Sequence, residues 1–278
     1  MKQLKKSDII TLYRRKKPKF KVVLIMNDWD SKQYTKFENE RTQPSVDLIH
    51  RIGGCPKTIL DIGCGPGNST HQLSLAFPDA DILGIDSSDN MLNRALQTYP
   101  ELKFKKCVIP DGLDSIADFD LIFSNACLHW IPGHKALLPK LMAKLNDGGM
   151  LAVQMPLTED AVFYKILKRL VASDKWNKLS VIHNFHNLTP RETYDVLSGV
   201  SQKVTMWETT YYHIVPSHSS VIEWYRGSGL RPYLEALTQA EKQDFIDDLT
   251  DLVRSEYPLQ ADSSVILKMP RLFFIAVK

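Results

Sequence analysis

The stretch from Thr58 to Asn68, TILDIGCGPGN, constrains the fold of this chain more than any other part of it. A short apolar run with β-branched residues is typical of a buried parallel strand, and the glycines that follow are typical of its tight exit turn. Asn68 or Ser69 is placed to cap a helix that we expect over residues 70–77. Strand, turn and helix together predict the end of a doubly wound α/β sheet where ligands bind, beyond the carboxyl ends of the strands.

The spacing of Gly63, Gly65 and Gly67 indicates what kind of ligand this turn holds. It is G-x-G-x-G, whereas turns that bind dinucleotide pyrophosphates have G-x-G-x-x-G. Asp61 also places a carboxylate at the strand end, where it would repel a phosphate. The carboxylate favours a ligand that is cationic or donates hydrogen bonds, such as the amino group of a methionine-derived cofactor.

A second acidic residue, Asp86, ends the next predicted strand, nineteen residues after Gly67. An acid about 20 residues downstream of such a turn binds ribose hydroxyls in this architecture. The alternative, an ordinary strand-turn-helix unit whose glycines only permit the turn, leaves the two acids at matching strand ends unexplained. The pattern resembles motifs I and II of class I S-adenosylmethionine (SAM) methyltransferases.

Charge is distributed unevenly along the 278 residues. Residues 1–25 hold nine Lys and Arg against one acid, so the remainder has 26 basic and 31 acidic residues and a net charge of about −5. Because the residues after position 25 carry a net negative charge, this part of the chain is not expected to have the basic face of a nucleic-acid binder. For the basic segment we favour a translation start placed too early, with Met26 the true start. A disordered tail and a cleaved targeting peptide are the alternatives, and the Lys-rich, Ser-poor composition disfavours the second.

The cysteines and the hydropathy indicate the compartment. Cys55, Cys64, Cys107 and Cys127 have neither CxxC spacing nor nearby histidine pairs, which favours reduced, packed thiols over a metal site or a disulfide framework. No apolar run reaches membrane-spanning length. We therefore expect a cytoplasmic protein with no metal and no membrane partner.

The rest of the chain continues the alternation of strands and helices. Strands are predicted over 103–108, 119–124, 150–155, 204–215 and 271–277, and helices over 89–98, 135–145, 161–173 and 189–197, with a mostly helical block over 217–257. The two late strands are separated by that block. We therefore expect a Rossmann-like fold of the class I methyltransferase type: a seven-stranded, mostly parallel sheet with an antiparallel last strand and a helical lid inserted between the last two strands.

Segments spread from Met26 to the C-terminus resemble the trans-aconitate 2-methyltransferase family. They are residues 27–30, 61–70, 84–88, 121–130, 151–156, 209–213, 216–218, 229–232, 257–260 and 270–273. The resemblance implies a methyltransferase domain over 26–278, with helical acceptor-side segments at about 157–200 and 216–260. It implies a cytoplasmic enzyme that transfers a methyl group from SAM to a carboxylate of trans-aconitate, giving a monomethyl ester and S-adenosylhomocysteine.

The chain departs from the family pattern at three places. Cys107 and Val108 stand where an Ala-Asp pair is usual, so the acid that contacts adenine is either lost or replaced by Asp111. His129 stands where glutamine is usual. The segment 158–187 matches poorly and carries no assignment.

The sequence nominates residues for each part of the site. We expect SAM to contact a set of residues at the strand ends: Asp61, Gly63, Gly65, Gly67, Asn68, Asp86, Ser87, Asp111 and Asn125. The acceptor carboxylate is already ionised at neutral pH, so no general base is required. Positioning is expected from His129, Trp130 and Gln154 instead.

Arginine forks bind carboxylates bidentately, so Arg41, Arg231 and Arg271 are the candidate substrate ligands. Each could instead be a solvated surface pair, the usual fate of arginine. Tyr211 and His213 join them, because alternate strand residues share one face. The expected partner is a small polycarboxylate, and the oligomeric state stays open, with a monomer compatible.

Four alternative functions are each disfavoured by a feature of the sequence. A carboxyl O-methyltransferase acting on another small or carrier-bound acid would have a more apolar lid and fewer arginines. An N-methyltransferase often has an Asp/Asn-Pro-Pro-Tyr/Phe motif, which the sequence lacks. A non-catalytic SAM-binding protein is disfavoured by the intact turn, and a dehydrogenase by the glycine spacing and Asp61.

Overall fold

The computed structural model describes residues 28–29, 37–159, 161–182 and 185–278. The basic segment 1–25 and Met26 lie outside the described residues. Within the described part, seven strands form one sheet in the order β3-β2-β1-β4-β5-β7-β6. The strands are β1 (Thr58–Ile62), β2 (Asp81–Asp86), β3 (Lys103–Lys106), β4 (Phe119–Asn125), β5 (Leu145–Pro156), β6 (Lys203–Val215) and β7 (Val265–Val277).

The helices alternate with these strands and then dominate the second half of the chain. They are α1 (Glu38–Ile49), α2 (Asn68–Ala76), α3 (Asp89–Thr98), α4 (His134–Ala143), α5 (Val162–Val171), α6 (Pro190–Ser198), α7 (His218–Arg226), α8 (Arg231–Glu235) and α9 (Gln239–Glu256). Four strand pairs are parallel: β1 with β2, β1 with β4, β2 with β3, and β4 with β5. β7 is antiparallel to both of its neighbours, β5 and β6. The predicted sheet, with its antiparallel last strand, is confirmed.

Helices cover both faces of the sheet, which is why β1 is apolar on both sides. On one face, Leu48 of α1 and Leu73 of α2 pack with Ile59 of β1. On the other, Leu141 of α4 and Leu197 of α6 belong to a second cluster. α6 begins at a capping box formed by Thr189 and Glu192, and its Leu197 packs against the sheet.

β6 and β7 extend past the rest of the sheet. β7 pairs with β5 as far as Arg271, opposite Pro156, whereas its pairing with β6 continues to Val265, opposite Val215. The residues between Arg271 and Val265 therefore form a two-stranded ribbon with β6. At about 3.3 Å per residue, the ribbon extends roughly 20 Å beyond the carboxyl end of β5.

The predicted lid rests on this ribbon. α7, α8 and α9 lie between β6 and β7 in the chain, as expected, and α5 packs with them. Their buried core includes Phe163, Leu230 and Phe245, together with Leu267 and Met269 of the ribbon. The lid is thereby held over the edge of the sheet at which β1, β4 and β5 end.

Two local predictions were wrong. Neither Asn68 nor Ser69 caps α2: the N-cap is Gly67, whose φ of 97° only glycine adopts readily, and no side chain caps the helix. The Ser69 hydroxyl donates to Asp61 instead, at 2.6 Å. The last strand begins at Val265, before the predicted start at residue 271, because the ribbon continues the pairing. None of the described helices has the length and apolarity needed to cross a membrane.

Candidate active site

The glycine turn after β1 has the backbone shape that its sequence predicts. Gly63, Gly65 and Gly67 have φ values of +73°, +55° and +97°. A Cβ at Gly63 would lie 2.2 Å from Cys127 Sγ, whereas one at Gly65 would meet nothing within 4 Å. The Gly65 N–H donates to Asp86 Oδ2 at 3.0 Å. Gly63 therefore fits β1 against the turn after β4, and Gly65 leaves the backbone open to a ligand.

Asp61, at the end of β1, has one oxygen bonded and one oxygen available. Its Oδ2 accepts hydrogen bonds from the hydroxyls of Ser69 and Thr70, at 2.6 and 2.7 Å. Its Oδ1 is buried and has no hydrogen-bond partner among the residues described. Burial raises the pKa of this carboxyl to about 6, despite the two hydroxyl donors, and the charge of Asp86 adds to the rise. A cationic donor at Oδ1 would relieve the cost of burying this charge.

Asp86 ends β2 beside the turn and holds it in place. Its oxygens accept the backbone N–H groups of Gly65, at 3.0 Å, and Ser88, at 2.9 Å. Burial raises the pKa of this carboxyl while those backbone donors oppose the rise. Ser87 is exposed next to it, and Asp111 is exposed on the loop after β3.

An open pocket, with about 400 Å³ of empty space that includes bulk solvent at its mouth, lies between the glycine turn and α1. Asn68 Nδ2 donates to Thr42 Oγ1 of α1 at 3.4 Å. Asn125, at the end of β4, has a buried Oδ1 that bonds to no described residue. α1 thus covers the turn. The pocket is lined by Arg41, Thr42, Ser45, Gly63, Cys64, Gly65, Pro66, Asn68, Ser69 and Asn125.

The 3₁₀ turn Leu128–Trp130 after β4 forms an aromatic floor with Phe185. The ring centroids of His129 and Trp130 are 5.1 Å apart, and Phe185 lies 5.2 Å from His129 and 4.9 Å from Trp130. These contacts fix the orientation of both predicted positioning residues.

His129 is uncharged in this setting. Burial holds its pKa well below 6.5, and the charge of Arg271 lowers the pKa further. Gln154, on β5 beside Asn125, is fully buried, and neither atom of its amide finds a hydrogen-bond partner in the described part of the chain. An unbonded buried amide costs about 1–3 kcal/mol, so its presence indicates a ligand site.

Arg271 stands at the base of the ribbon, with its side chain almost wholly inside the protein. It pairs in register with Pro156 of β5 and Thr209 of β6, and only 6% of the residue is exposed. A buried guanidinium needs an anionic partner to offset the cost of removing it from water.

Arg41 and His213 both contact Trp224 of α7. Arg41 Nη2 donates to the Trp224 carbonyl at 3.0 Å, and its guanidinium stacks on the Trp224 ring at 5.2 Å. The His213 ring stacks on that same indole at 4.7 Å. Burial, and then the charge of Arg271, lower the pKa of His213 to about 4, with Arg41 adding to the effect. The charges of both arginines therefore act on His213, and the charge of Glu40 opposes them.

Tyr211 shares a face with His213, as the alternation of β6 predicts. Tyr212 and Ile214 point the other way and are 62% and 61% exposed. The Tyr211 hydroxyl donates to Asp47 Oδ2 of α1. Burial, and then that bond, raise the pKa of the phenol.

Arg231, the third predicted arginine, begins α8 and contacts neither Trp224 nor His213 in the described part of the chain. Its guanidinium stacks over the Trp29 ring at 4.0 Å, and its Nε is 3.7 Å from Glu235 Oε1. Trp29 in turn meets Trp130 edge-on at 5.4 Å. Arg231 thus reaches the aromatic floor through Trp29.

Sequence reasoning missed three aromatic residues at this site: Tyr164, Phe185 and Trp224. The first two lie in the segment 158–187. Helical periodicity indicated that Tyr164 lies beside the apolar stripe of α5, which begins at Phe163, but it indicated no role for Tyr164 at the site. No pattern around Phe185 or Trp224 could have identified their roles.

Comparisons with known proteins agree with this geometry. Residues 60–151 match a family model described as a methyltransferase domain. The trans-aconitate 2-methyltransferase of Rhodopseudomonas palustris strain BisB5 is 35% identical over 257 residues, covering 91% of this chain and 100% of that protein. The trans-aconitate 2-methyltransferase of Yersinia pestis strain Pestoides F is 38% identical over 255 residues, covering 90% and 98%.

Solved structures share the fold at low sequence identity. The YcgJ protein of Bacillus subtilis has a TM-score of 0.56 and 17% identity, over 85% of this chain and 98% of that one. Phosphoethanolamine N-methyltransferase 2 of Haemonchus contortus, in complex with SAM, has a TM-score of 0.52 and 17% identity, over 85% of this chain and 52% of that one.

Proposed function

The chain belongs to the trans-aconitate 2-methyltransferase family, and we propose on that basis that it transfers the methyl group of SAM to a carboxylate of trans-aconitate. The products are the monomethyl ester and S-adenosylhomocysteine. The observation that carries the proposal is a shared pocket. Arg41 lines it together with the glycine turn, and Arg41 and Arg271 both act on His213. An arginine that can bind a polyanionic acceptor therefore borders the space beside the glycine turn in which we place the cofactor.

The turn and its two acids fit the cofactor. When bound, SAM supplies a methyl group on a positively charged sulfur. We assign Asp61 Oδ1 to the amino group of the cofactor and Asp86 to the ribose hydroxyls. Gly63, Gly65, Gly67, Asn68 and Ser87 would surround the chain between them. Asn125 and the exposed Asp111 complete the assignment, with Asp111 facing the adenine.

The reaction needs alignment more than proton transfer. The acceptor carboxylate is ionised at neutral pH, and His129 is uncharged, so no group has to remove a proton. Gln154, which is buried with both amide atoms unbonded to described residues, is suited to donate to the attacking carboxylate and accept from a neighbour. Holding oxygen, carbon and sulfur in line can contribute roughly 7–11 kcal/mol to lowering the barrier.

Arg41 and Arg271 are assigned to the carboxylates that are not methylated. A guanidinium fork binds a carboxylate through two parallel hydrogen bonds, and inside the protein such a bond is stronger than in water. Arg271 is buried and cationic, so a carboxylate bound beside it would offset part of the cost of removing its charge from water. His213 and Tyr211 lie beside them, and Arg231 would close the rim with Trp29. We place the reaction in the cytoplasm, which the four unpaired cysteine thiols support.

The experiment is a transfer assay with SAM labelled in its methyl group. The full chain is incubated with trans-aconitate, and separately with citrate, isocitrate and cis-aconitate. We expect label in an acidic product that mild alkali releases as methanol, because only a methyl ester is so labile. Alkali-stable label would contradict a carboxyl methyltransferase. SAM binding without transfer to any of the four acids would refute the substrate and leave the cofactor in place.

A further inference from the structure

Tyr164 lies in a part of the chain to which neither the sequence nor the proposed function gives a role. It follows Phe163 in α5, whose large apolar side chains are buried in the lid core. Its ring meets Phe185 edge-on at 5.0 Å and Tyr225 edge-on at 5.4 Å. Since Phe185 is part of the aromatic floor and contacts His129, Tyr164 packs against that floor and is separated from His129 by one ring.

The hydroxyl of Tyr164 is held against the backbone of Gly229. A Cβ at Gly229 would lie 2.5 Å from the Tyr164 oxygen and 3.0 Å from its ring. A residue larger than glycine would therefore have to push the phenol aside. Gly229 immediately precedes Leu230, the N-cap of α8. The need for glycine at position 229 therefore determines how closely α8 approaches α5.

The surroundings of this hydroxyl are cationic. Burial raises the pKa of the Tyr164 phenol, while the charges of Arg271 and Arg41 oppose the rise. The group is therefore a neutral O–H donor at neutral pH, and it lies within the field of the two arginines that we assign to the acceptor. A donor in that position attracts the same anionic oxygens as the guanidinium groups.

Among the other tyrosines around the lid, the hydroxyl of Tyr257 is buried and has no hydrogen-bond partner among the described residues, whereas those of Tyr225 and Tyr211 are engaged by protein groups. Tyr225 donates to Met269 Sδ at 3.3 Å, and Tyr211 donates to Asp47. No described residue accepts a hydrogen bond from the Tyr164 hydroxyl in the same way. Its ring is fixed on two sides, so its donor is already oriented before a ligand arrives.

We propose that the Tyr164 hydroxyl binds one of the two acceptor carboxylates that are not methylated, and that Gly229 is required to hold it there. The inference rests on the proposed function, since it concerns the acceptor of that reaction. Tyr164 would then help the site to distinguish a tricarboxylate from a dicarboxylate. A dicarboxylate that lacks the matching group leaves this donor unbonded.

The test uses Tyr164→Phe, which keeps both ring contacts and removes only the oxygen. We expect its KM for trans-aconitate to rise about 10-fold or more, as for loss of a hydrogen bond to a charged group, with kcat and the KM for SAM within about 2-fold. Tyr225→Phe is the matched control, since it removes a hydroxyl from the adjoining ring that faces Met269. Its KM for trans-aconitate should stay within about 2-fold of wild type.

Three dicarboxylates that each lack a different carboxylate of trans-aconitate make the assay specific. They are itaconate, mesaconate and cis-glutaconate, used as competitive inhibitors. Tyr164→Phe should weaken two of them and leave the third unchanged, because the third lacks the carboxylate that Tyr164 binds. Equal weakening of all three, or of none, would overturn the inference.

Gly229→Ala provides a second variant. It should raise the KM for trans-aconitate by displacing the phenol, and it should add little in the Tyr164→Phe background. Fully additive effects would contradict a shared role. If the wild type turns over trans-aconitate and Tyr164→Phe has the same KM for it, this inference alone is refuted. If the wild type shows no turnover, the proposed function is refuted and the inference with it.

Discussion

The two sides of the pocket are built from different kinds of contact. The cofactor side consists of a backbone turn and two acids, Asp61 and Asp86, all within a short stretch of chain. The acceptor side, as we propose it, consists of side chains brought from α1, α5, β6 and β7, such as Arg41, Tyr164 and Arg271. Only the ribbon and the lid that rests on it bring the second set together.

The charges of the two sides are also opposite. On the cofactor side burial raises the pKa values of Asp61 and Asp86, so negative charge is costly there until a cation binds. On the acceptor side burial, aided by Arg271, lowers the pKa values of His129 and His213, so positive charge is limited to the arginines. In the reaction that we propose, this difference orients a cationic cofactor and an anionic acceptor without a catalytic base.

The largest expected effect comes from Arg271→Gln on the acceptor side. Removing a buried guanidinium that pairs with a substrate carboxylate should lower kcat/KM for trans-aconitate about 100-fold or more, since such pairs contribute roughly 2–5 kcal/mol. Initial rates at saturating SAM measure this change. Arg51→Gln is the control, because Arg51 is exposed and its guanidinium stacks on Trp207 at 4.3 Å.

SAM affinity separates the two sides in the same variant. Titration calorimetry of Arg271→Gln should give a dissociation constant for SAM within about 2-fold of wild type. A large loss of SAM binding would break the division between the sides, because Arg271 would then support the cofactor as well.

A smaller effect is expected from Asp61→Asn on the cofactor side. The pKa of Asp61 in the folded apo protein is about 6, above the ordinary value of 3.8, so the folded protein binds this proton more tightly than the unfolded chain does. The free energy of unfolding should therefore rise as the pH falls through 6. SAM carries an ammonium group and favours the ionised form. Wild-type SAM affinity should therefore fall as the pH drops below 6, by at most about tenfold per pH unit.

Asp61→Asn should remove this pH dependence and weaken SAM binding about 10-fold at pH 7.5, measured by calorimetry from pH 5 to 8. Asp120→Asn is the matched control. Hydrogen bonds from Asn146 and from the backbone of Lys57 and Thr58 lower the pKa of Asp120, so its contribution to stability is present at neutral pH and lost on acidification. SAM affinity should be unaffected in that variant, and a pH dependence that survives in Asp61→Asn would assign the titration to another group.

The same contrast explains how far the sequence could be read. The glycine turn, Asp61 and Asp86 are local, so spacing alone predicted their arrangement. Strand alternation likewise placed Tyr211 and His213 on one face. Local pattern failed where a residue had two available roles: Ser69 was expected to cap α2, and it bonds to the carboxylate of Asp61 instead.

The acceptor side was less predictable because its contacts are long-range. Three arginines were nominated, but nothing in the sequence distinguished Arg41 and Arg271, whose charges both act on His213, from Arg231, which stacks on Trp29. The position of Tyr164 depends on α8 approaching α5 at Gly229, a contact between separate helices. Such a contact is determined by packing and leaves no periodic signal.

The smallest expected effect tests the boundary between the sides. The Tyr211 hydroxyl, nominated as a substrate ligand, donates to Asp47 of α1, the helix that covers the cofactor turn. Tyr211→Phe should cost about 1 kcal/mol of stability, which lowers Tm by roughly 2–4 °C, and should raise the KM for trans-aconitate less than about 3-fold. Tyr212→Phe, on the exposed face of β6, should change neither quantity. A KM that rises without a change in Tm would instead place Tyr211 among the acceptor ligands, and α1 would then need another contact to hold it across the pocket.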